Sequence, residues 1–561
     1  MNSMIDSNND FVSRRRWLGV ASMATLGAGL LASSTAAKSD ENSTPLLGAR
    51  VYNIRDFGAK GDGKTLDTAA VQATIDACAK DQGGTVLVPA GVFLIGTIEI
   101  KSNVTLHLAA QGKLLGSADG KQYRAADVIP LEGDSTLGDG NVALIFAVNA
   151  GNITIEGMGT IDGQGTQFRS PTRGATPPAG VTGHRRPYHL LFYRCKNLTV
   201  RDILLKDSAY HSLRVVQSSF VKLEGLHIHS RVTKNNDGFH FISAQYVHVS
   251  NCDVQCQDDA CALFGSCQFV TITNSSFSTR WSVFRFGGGI AENITVSNCL
   301  IHEAYGCPVK MRCSPGARFE NISFSNLVMN KVTGPISLGL GTEHPGSAEE
   351  AKLPPGILRN ISFSGIRATV VVPSQIADVE FPIGFNIGEI KSCIVLNGVN
   401  ENIIENINFD NIHIAFAGGG TAEEGAVRDV PKVANEYYAI GVPPACALYA
   451  RNVRGLTLNN IRLETTTPDL RPTVIFDHVT DAAINGLNVQ GHKDAESALR
   501  FIDTQDVLLT AARLIAPASV FLQVEGDTSG GITIDGGDLS KAAAPLAFKA
   551  GALQKSVNLR A

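Results

Sequence analysis

Between Tyr246 and Asn326 one short phrase is written four times: Tyr246-Val247-His248-Val249-Ser250-Asn251, Phe269-Val270-Thr271-Ile272-Thr273-Asn274, Asn293-Ile294-Thr295-Val296-Ser297-Asn298 and Asn321-Ile322-Ser323-Phe324-Ser325-Asn326. Apolar and polar residues alternate in each, the period of a strand with one buried face. Each ends on an asparagine, a residue that tolerates the left-handed turn. Successive turn asparagines are 23, 24 and 28 residues apart. Strands at that period, with no helix between them, are the mark of a solenoid with three short strands per coil. An antiparallel sandwich would instead turn every roughly 8–12 residues. Coils stack about 4.8 Å apart, so equivalent asparagines can hydrogen-bond in a ladder. The pattern predicts an all-β chain, a single-domain right-handed parallel β-helix.

The phrase recurs upstream at Asn152–Ile155 and Asn197–Val200, and downstream at Asn360–Phe363, Asn406–Phe409, Leu456–Leu458 and Ala483–Asn485. It fades toward the C-terminus, and loops at about 164–186 and 416–443 interrupt it. Before the coils, Val51 to Gly63 reads as a strand running into a glycine-rich turn. A helix follows over Thr68–Ala79, with Ala70, Val71, Ile75 and Cys78 on one face, Asp67 at its N-cap and Gly83-Gly84 beyond its end. A helix in that place is expected to cap the open end of the solenoid, which would otherwise expose an edge.

Alignment on the period stacks side chains from distant positions. Asn236-Asp237-Gly238-Phe239-His240-Phe241 falls over Asp258-Asp259-Ala260-Cys261-Ala262-Leu263, then over Trp281-Ser282-Val283-Phe284-Arg285-Phe286, then over Val309-Lys310-Met311-Arg312. The column Phe241, Leu263, Phe286, Met311 must face the core, so His240, Arg285, Lys310 and Arg312 point outward. Three carboxylates, Asp237, Asp258 and Asp259, thus share two adjacent coils beside a basic stripe. Like charges about 5 Å apart repel, so one of the three should hold a proton at neutral pH, as a general acid requires. Arg280 adds cationic character and Trp281 a face for a sugar ring. The bland alternative, solvated turn aspartates, accounts for an isolated Asn-Asp-Gly but not for a stacked second pair beside cations.

Tyr52–Gly63, Arg186-Pro187, Asn236-Asp237-Gly238, Gln257-Asp258-Asp259 and Lys310-Met311-Arg312 together resemble glycoside hydrolase family 28, the polygalacturonase and rhamnogalacturonase family of the pectate-lyase-like superfamily. The resemblance covers about 50–330 by motif. It implies inverting hydrolysis of a pectin- or rhamnogalacturonan-type polysaccharide. Asp258 or Asp259 would be the acid, Asp237 and the remaining aspartate the base pair, and Lys310 and Arg312 the binders of a substrate carboxylate. His240, Arg280, Trp281 and Arg285 complete the expected substrate-binding set. Two departures stand out: Arg280-Trp281-Ser282 replaces the family's Gly-His-Gly, and Lys-Met-Arg reverses its basic pair. The first points away from a plain polygalacturonase, and the second leaves the substrate preference open. A uronate lyase or epimerase, using Lys310, Arg285 or His240 as base with a cation, and a non-catalytic carbohydrate-binding β-helix remain the competing readings.

The bulk properties argue against one class of partner. Charged residues make up 18% of 561 and the formal net charge is −4, so no basic surplus exists for a nucleic-acid backbone. Ser13-Arg14-Arg15-Arg16-Trp17 precedes an apolar run, Val20 to Leu31, and a small-residue stretch, Ala32 to Ala37. That layout predicts a twin-arginine-type export signal over 1–37, a linker over 38–49 and the catalytic β-helix over 50–561, released to the periplasm or beyond. The run is too short for a spanning helix of about 20 residues, so no stable membrane insertion is expected. Eleven cysteines without a C-x-x-C pair read mostly as small core residues. His211, His227, His229, His240 and His248 are close in sequence, but on a solenoid they should fall on different coils and faces, so no metal and no cofactor is expected. The mature chain is expected to be a monomer.

Overall fold

The computed structural model describes residues 50–126, 141–168, 186–377, 379 and 384–560, all within the compact unit Leu47–Ala561. The expected export signal and linker lie outside the described residues. The described residues form a parallel β-helix, in which strands pair in parallel with their equivalents in the neighbouring coils.

Five strands carry the stack predicted from the sequence: β1 (Leu213–Val216), β2 (Phe239–Ile242), β3 (Cys261–Phe264), β4 (Phe284–Gly287) and β5 (Val309–Cys313). Their register is residue for residue the aligned one, with His240 opposite Ala262, Ala262 opposite Arg285 and Arg285 opposite Lys310. Phe241, Leu263, Phe286 and Met311 are buried in one continuous core, as alternation requires. Later coils add face-to-face rings, Phe324 to Phe363 at 5.1 Å and Phe363 to Phe409 at 5.0 Å.

The predicted ladder of turn asparagines forms at one rung, and a second ladder runs elsewhere. Asn326 donates to Asn298 over 2.7 Å, and on another edge Asn197 donates to Asn152 and Asn152 to Asn103 over 2.9 and 2.8 Å. These residues sit at φ between 53 and 63°, the left-handed region asparagine tolerates. All eleven cysteines are buried free thiols.

Three expectations need correction. The coils do not fade: strands continue to Val557–Arg560, because alanine and glycine replace the bulky residues that made the pattern visible. Most of the expected loop at 164–186 lies outside the described residues, and segments 341–356, 371–377 and 384–393, which were not expected, leave the strand series as well. The helix α1 (Thr68–Lys80) forms and buries Val71, Thr74, Ile75 and Cys78, but Asp67 does not cap it with its side chain. Its carboxylate turns back and accepts from the backbone N–H groups of Lys60 and Gly61, closing the glycine-rich turn. Among the described residues no helix is long and apolar enough to cross a membrane.

Candidate active site

The loop entering β2 is shaped by Asn236. Its buried amide accepts from the N–H groups of Val232 and Thr233 and donates to the carbonyls of Ser208 and Tyr210. All its hydrogen-bonding groups are used, so the loop has one conformation. Backbone bonds then fix the neighbouring coils: Ser212 N–H to Asp237 O, Gly238 N–H to Asp259 O, and Asp258 N–H to Asn236 O. Position 238 admits only glycine, because a Cβ there would sit 2.5 Å from the Ala260 carbonyl. Asp237 therefore lies over Asp259, one coil apart, with Asp258 beside them.

The three carboxylates meet different surroundings. Asp258 accepts from Asn235 Nδ2 over 3.1 Å and from the Asp259 N–H over 2.9 Å. Burial, then the charges of Asp237 and Asp259, push its pKa well above the usual carboxylate range. Burial also raises Asp259, while Lys310 pulls it back. Asp237 Oδ2 lies 2.7 Å from His240 Nδ1, so with Asp237 ionised the ring carries its proton on Nδ1.

The outward column predicted beside these acids is present but already engaged. Lys310 Nζ lies 3.1 Å from Glu436 Oε2 and 4.3 Å from the centre of the Trp281 ring. Arg312 reaches Glu436 Oε1 at 3.3 Å and Glu343 Oε2 at 3.4 Å. Arg280 pairs with Glu389 in α2 (Ile387–Ile390) and lies over Phe385, tying segment 384–390 to the coils. Arg285 meets no carboxylate among the described residues; it donates to the Phe286 carbonyl and lies over Phe264.

The histidine expectation fails in one respect. His211 and His240 share a face, their rings stacked at 4.3 Å, because the turn before β1 brings His211 one coil from His240. With Asp237 they place one ligand atom each within 4.8 Å of one another. Cation binding there meets opposition from Arg214, whose Nη1 is 3.4 Å from His211 Nδ1. Burial, then His240, Arg214 and Arg186, hold His211 far below its usual pKa. The cluster reads better as a ring wall continued by Tyr188 and Tyr210, under the guanidinium groups of Arg214 and Arg186.

Sequence reasoning missed several of these groups. Arg214 was within reach, since it falls in register with His240 one coil upstream. Glu343, Glu389 and Glu436 were not, because they arrive from loops whose course no period describes.

The family model described as Glycosyl hydrolases family 28 matches residues 78–379. An exopolygalacturonase of Platanus acerifolia is 27% identical over 332 residues, covering 57% of this chain and 82% of that protein. An exo-poly-alpha-D-galacturonosidase of Dickeya chrysanthemi is 27% identical over 339 residues, with 50% of this chain and 56% of that protein covered, so the chain spans about half of that relative. In fold, the hyperthermoactive exopolygalacturonase of Thermotoga maritima superposes with a TM-score of 0.54 at 18% identity, over 75% of this chain and 93% of that one.

Proposed function

This chain belongs to glycosyl hydrolases family 28 and is a glycoside hydrolase, and we propose that it is exported and cleaves a pectin-type polysaccharide with inversion, using Asp237, Asp258 and Asp259. The observation that carries the assignment of roles is the asymmetry of the three acids. Asp258 is pushed further toward the protonated form than Asp259, by burial and by its two neighbours, which suits it to protonate the departing glycosidic oxygen. Asp259, drawn back by Lys310, and Asp237, bonded to His240, take the role of bases that align and deprotonate water. Inversion needs room for that water between acid and base, roughly 6.5–9.5 Å between carboxyl groups. The names of relatives that act on polygalacturonate support a galacturonate-containing substrate.

Product analysis on a panel of pectic oligosaccharides tests this reading. Hydrolysis yields new reducing ends with no ultraviolet-absorbing unsaturated sugar, and proton NMR of the first product formed reports an inverted anomer. An unsaturated product would replace the hydrolase reading with a lyase, and a retained anomer would remove the proposed base pair.

A further inference from the structure

Lys310 and Arg312 reach the site with their charge already met. Glu436 touches both, at 3.1 and 3.3 Å, and Glu343 adds a second carboxylate to Arg312. Two cations therefore face two carboxylates, with Asp259 a further negative group near Lys310. Lys310 is 3% exposed and Glu436 8%, so water screens this arrangement weakly. A free uronate brought to the pair would add another carboxylate to a balanced cluster, or would have to expel Glu436.

Expulsion is opposed by the way Glu436 is held. It stands at the start of α3 (Tyr437–Ile440), where its N–H donates to Asn435 Oδ1 over 2.7 Å. The same Asn435 oxygen accepts from Arg312, and Asn435 Nδ2 donates to the Glu343 carbonyl. The next residue, Tyr437, is buried and donates to the Cys393 carbonyl over 2.7 Å. Its ring packs so closely on Gly334 that a Cβ there would lie 2.4 Å away. Glu436 is a built part of the wall.

We propose that Glu436 is a specificity-determining residue: it occupies the charge of Lys310 and Arg312, so that the sugar seated over them is an uncharged one, a neutral sugar or an esterified uronate, rather than a free uronate. The proposal rests on the hydrolase reading above and narrows its substrate.

The test compares kcat/KM on oligogalacturonides with kcat/KM on the same oligomers after methyl esterification. Glu436→Gln should raise the acid-to-ester ratio by at least about tenfold over the native protein, since a charge-assisted contact becomes available to the free acid. Glu343→Gln, farther from Lys310, should move the ratio in the same direction by less, and it carries the test should Glu436→Gln fail to fold. A ratio that stays put or falls in the folded variants overturns the assignment of Glu436 while leaving the hydrolase reading intact. Absence of cleavage by the native protein of both substrate forms and of every other pectic oligosaccharide of the panel would instead remove that reading.

Discussion

Asp258 sets chemistry against stability. A carboxyl group whose folded pKa is raised holds its proton more tightly in the folded chain than in the unfolded one. Its contribution to stability is full below the unfolded value of about 3.9 and is lost as pH rises through the folded value. Asp258→Asn should therefore melt higher than the native protein at pH 7, and the gap should shrink as pH falls toward about 4. Equal melting temperatures at pH 7 would mean that burial does not penalise this carboxylate. The same variant, with Asp237→Asn and Asp259→Asn, should keep its circular dichroism and lose at least about 10²-fold in kcat. With Asp258 as the acid, kcat of the native enzyme should fall on the alkaline side, as pH rises through that raised pKa. These three residues were legible because they lie on the repeat: 22 residues separate Asp237 from Asp259, and strand alternation does the rest. His211 was legible only in part, since it lies in a turn where alternation stops. Glu436 comes from a loop 177 positions beyond Asp259, and only tertiary structure brings the two together.

At the scale of the element, the asparagine turns decide where each long strand bends. Asn298 divides Ile290–Ala304 and Asn326 divides Arg318–Val332, at φ of 55 and 53°. A β-branched residue in that conformation is strained by roughly 1–2 kcal/mol, and a lost hydrogen bond costs about 1 more. Asn298→Val removes the acceptor of the Asn326 side chain and strains its own backbone. It should lower the midpoint of urea denaturation measurably, whereas Asn298→Gly, which relieves the strain, should recover part of the loss. Identical midpoints for Val and Gly would show that the hydrogen bond, and not the backbone, matters here. The same physics explains what the sequence conceals at this scale. A ladder of asparagines is visible because one residue type answers one backbone need. Coils such as Gly530–Asp538 and Ala542–Lys549 bury little and turn on glycine or alanine, so their repeat leaves no comparable trace.

Over the whole molecule, the thiols bear on the proposed export. Eleven cysteines are buried and unpaired, and burial raises Cys252, Cys267 and Cys307 to about 12. Thiolate is the reactive form, so burial protects these thiols in the folded chain. The unfolded chain is not, and it must close ladders between residues tens of positions apart, a slow topology that prolongs exposure. Entering an oxidising compartment unfolded would therefore invite wrong disulfides. The proposed twin-arginine signal at Arg14-Arg15-Arg16, which carries folded cargo, avoids that hazard. Replacing residues 1–37 with a leader for unfolded export should give periplasmic protein with fewer than eleven thiols titratable in denaturant and with reduced specific activity, both restored by refolding under reductant. Changing Arg14, Arg15 and Arg16 to lysine in the native leader should hold active enzyme in the cytoplasm. Full activity and eleven free thiols after unfolded export would break the link between buried thiols and folded transport, leaving the arginine cluster as the only ground for that route.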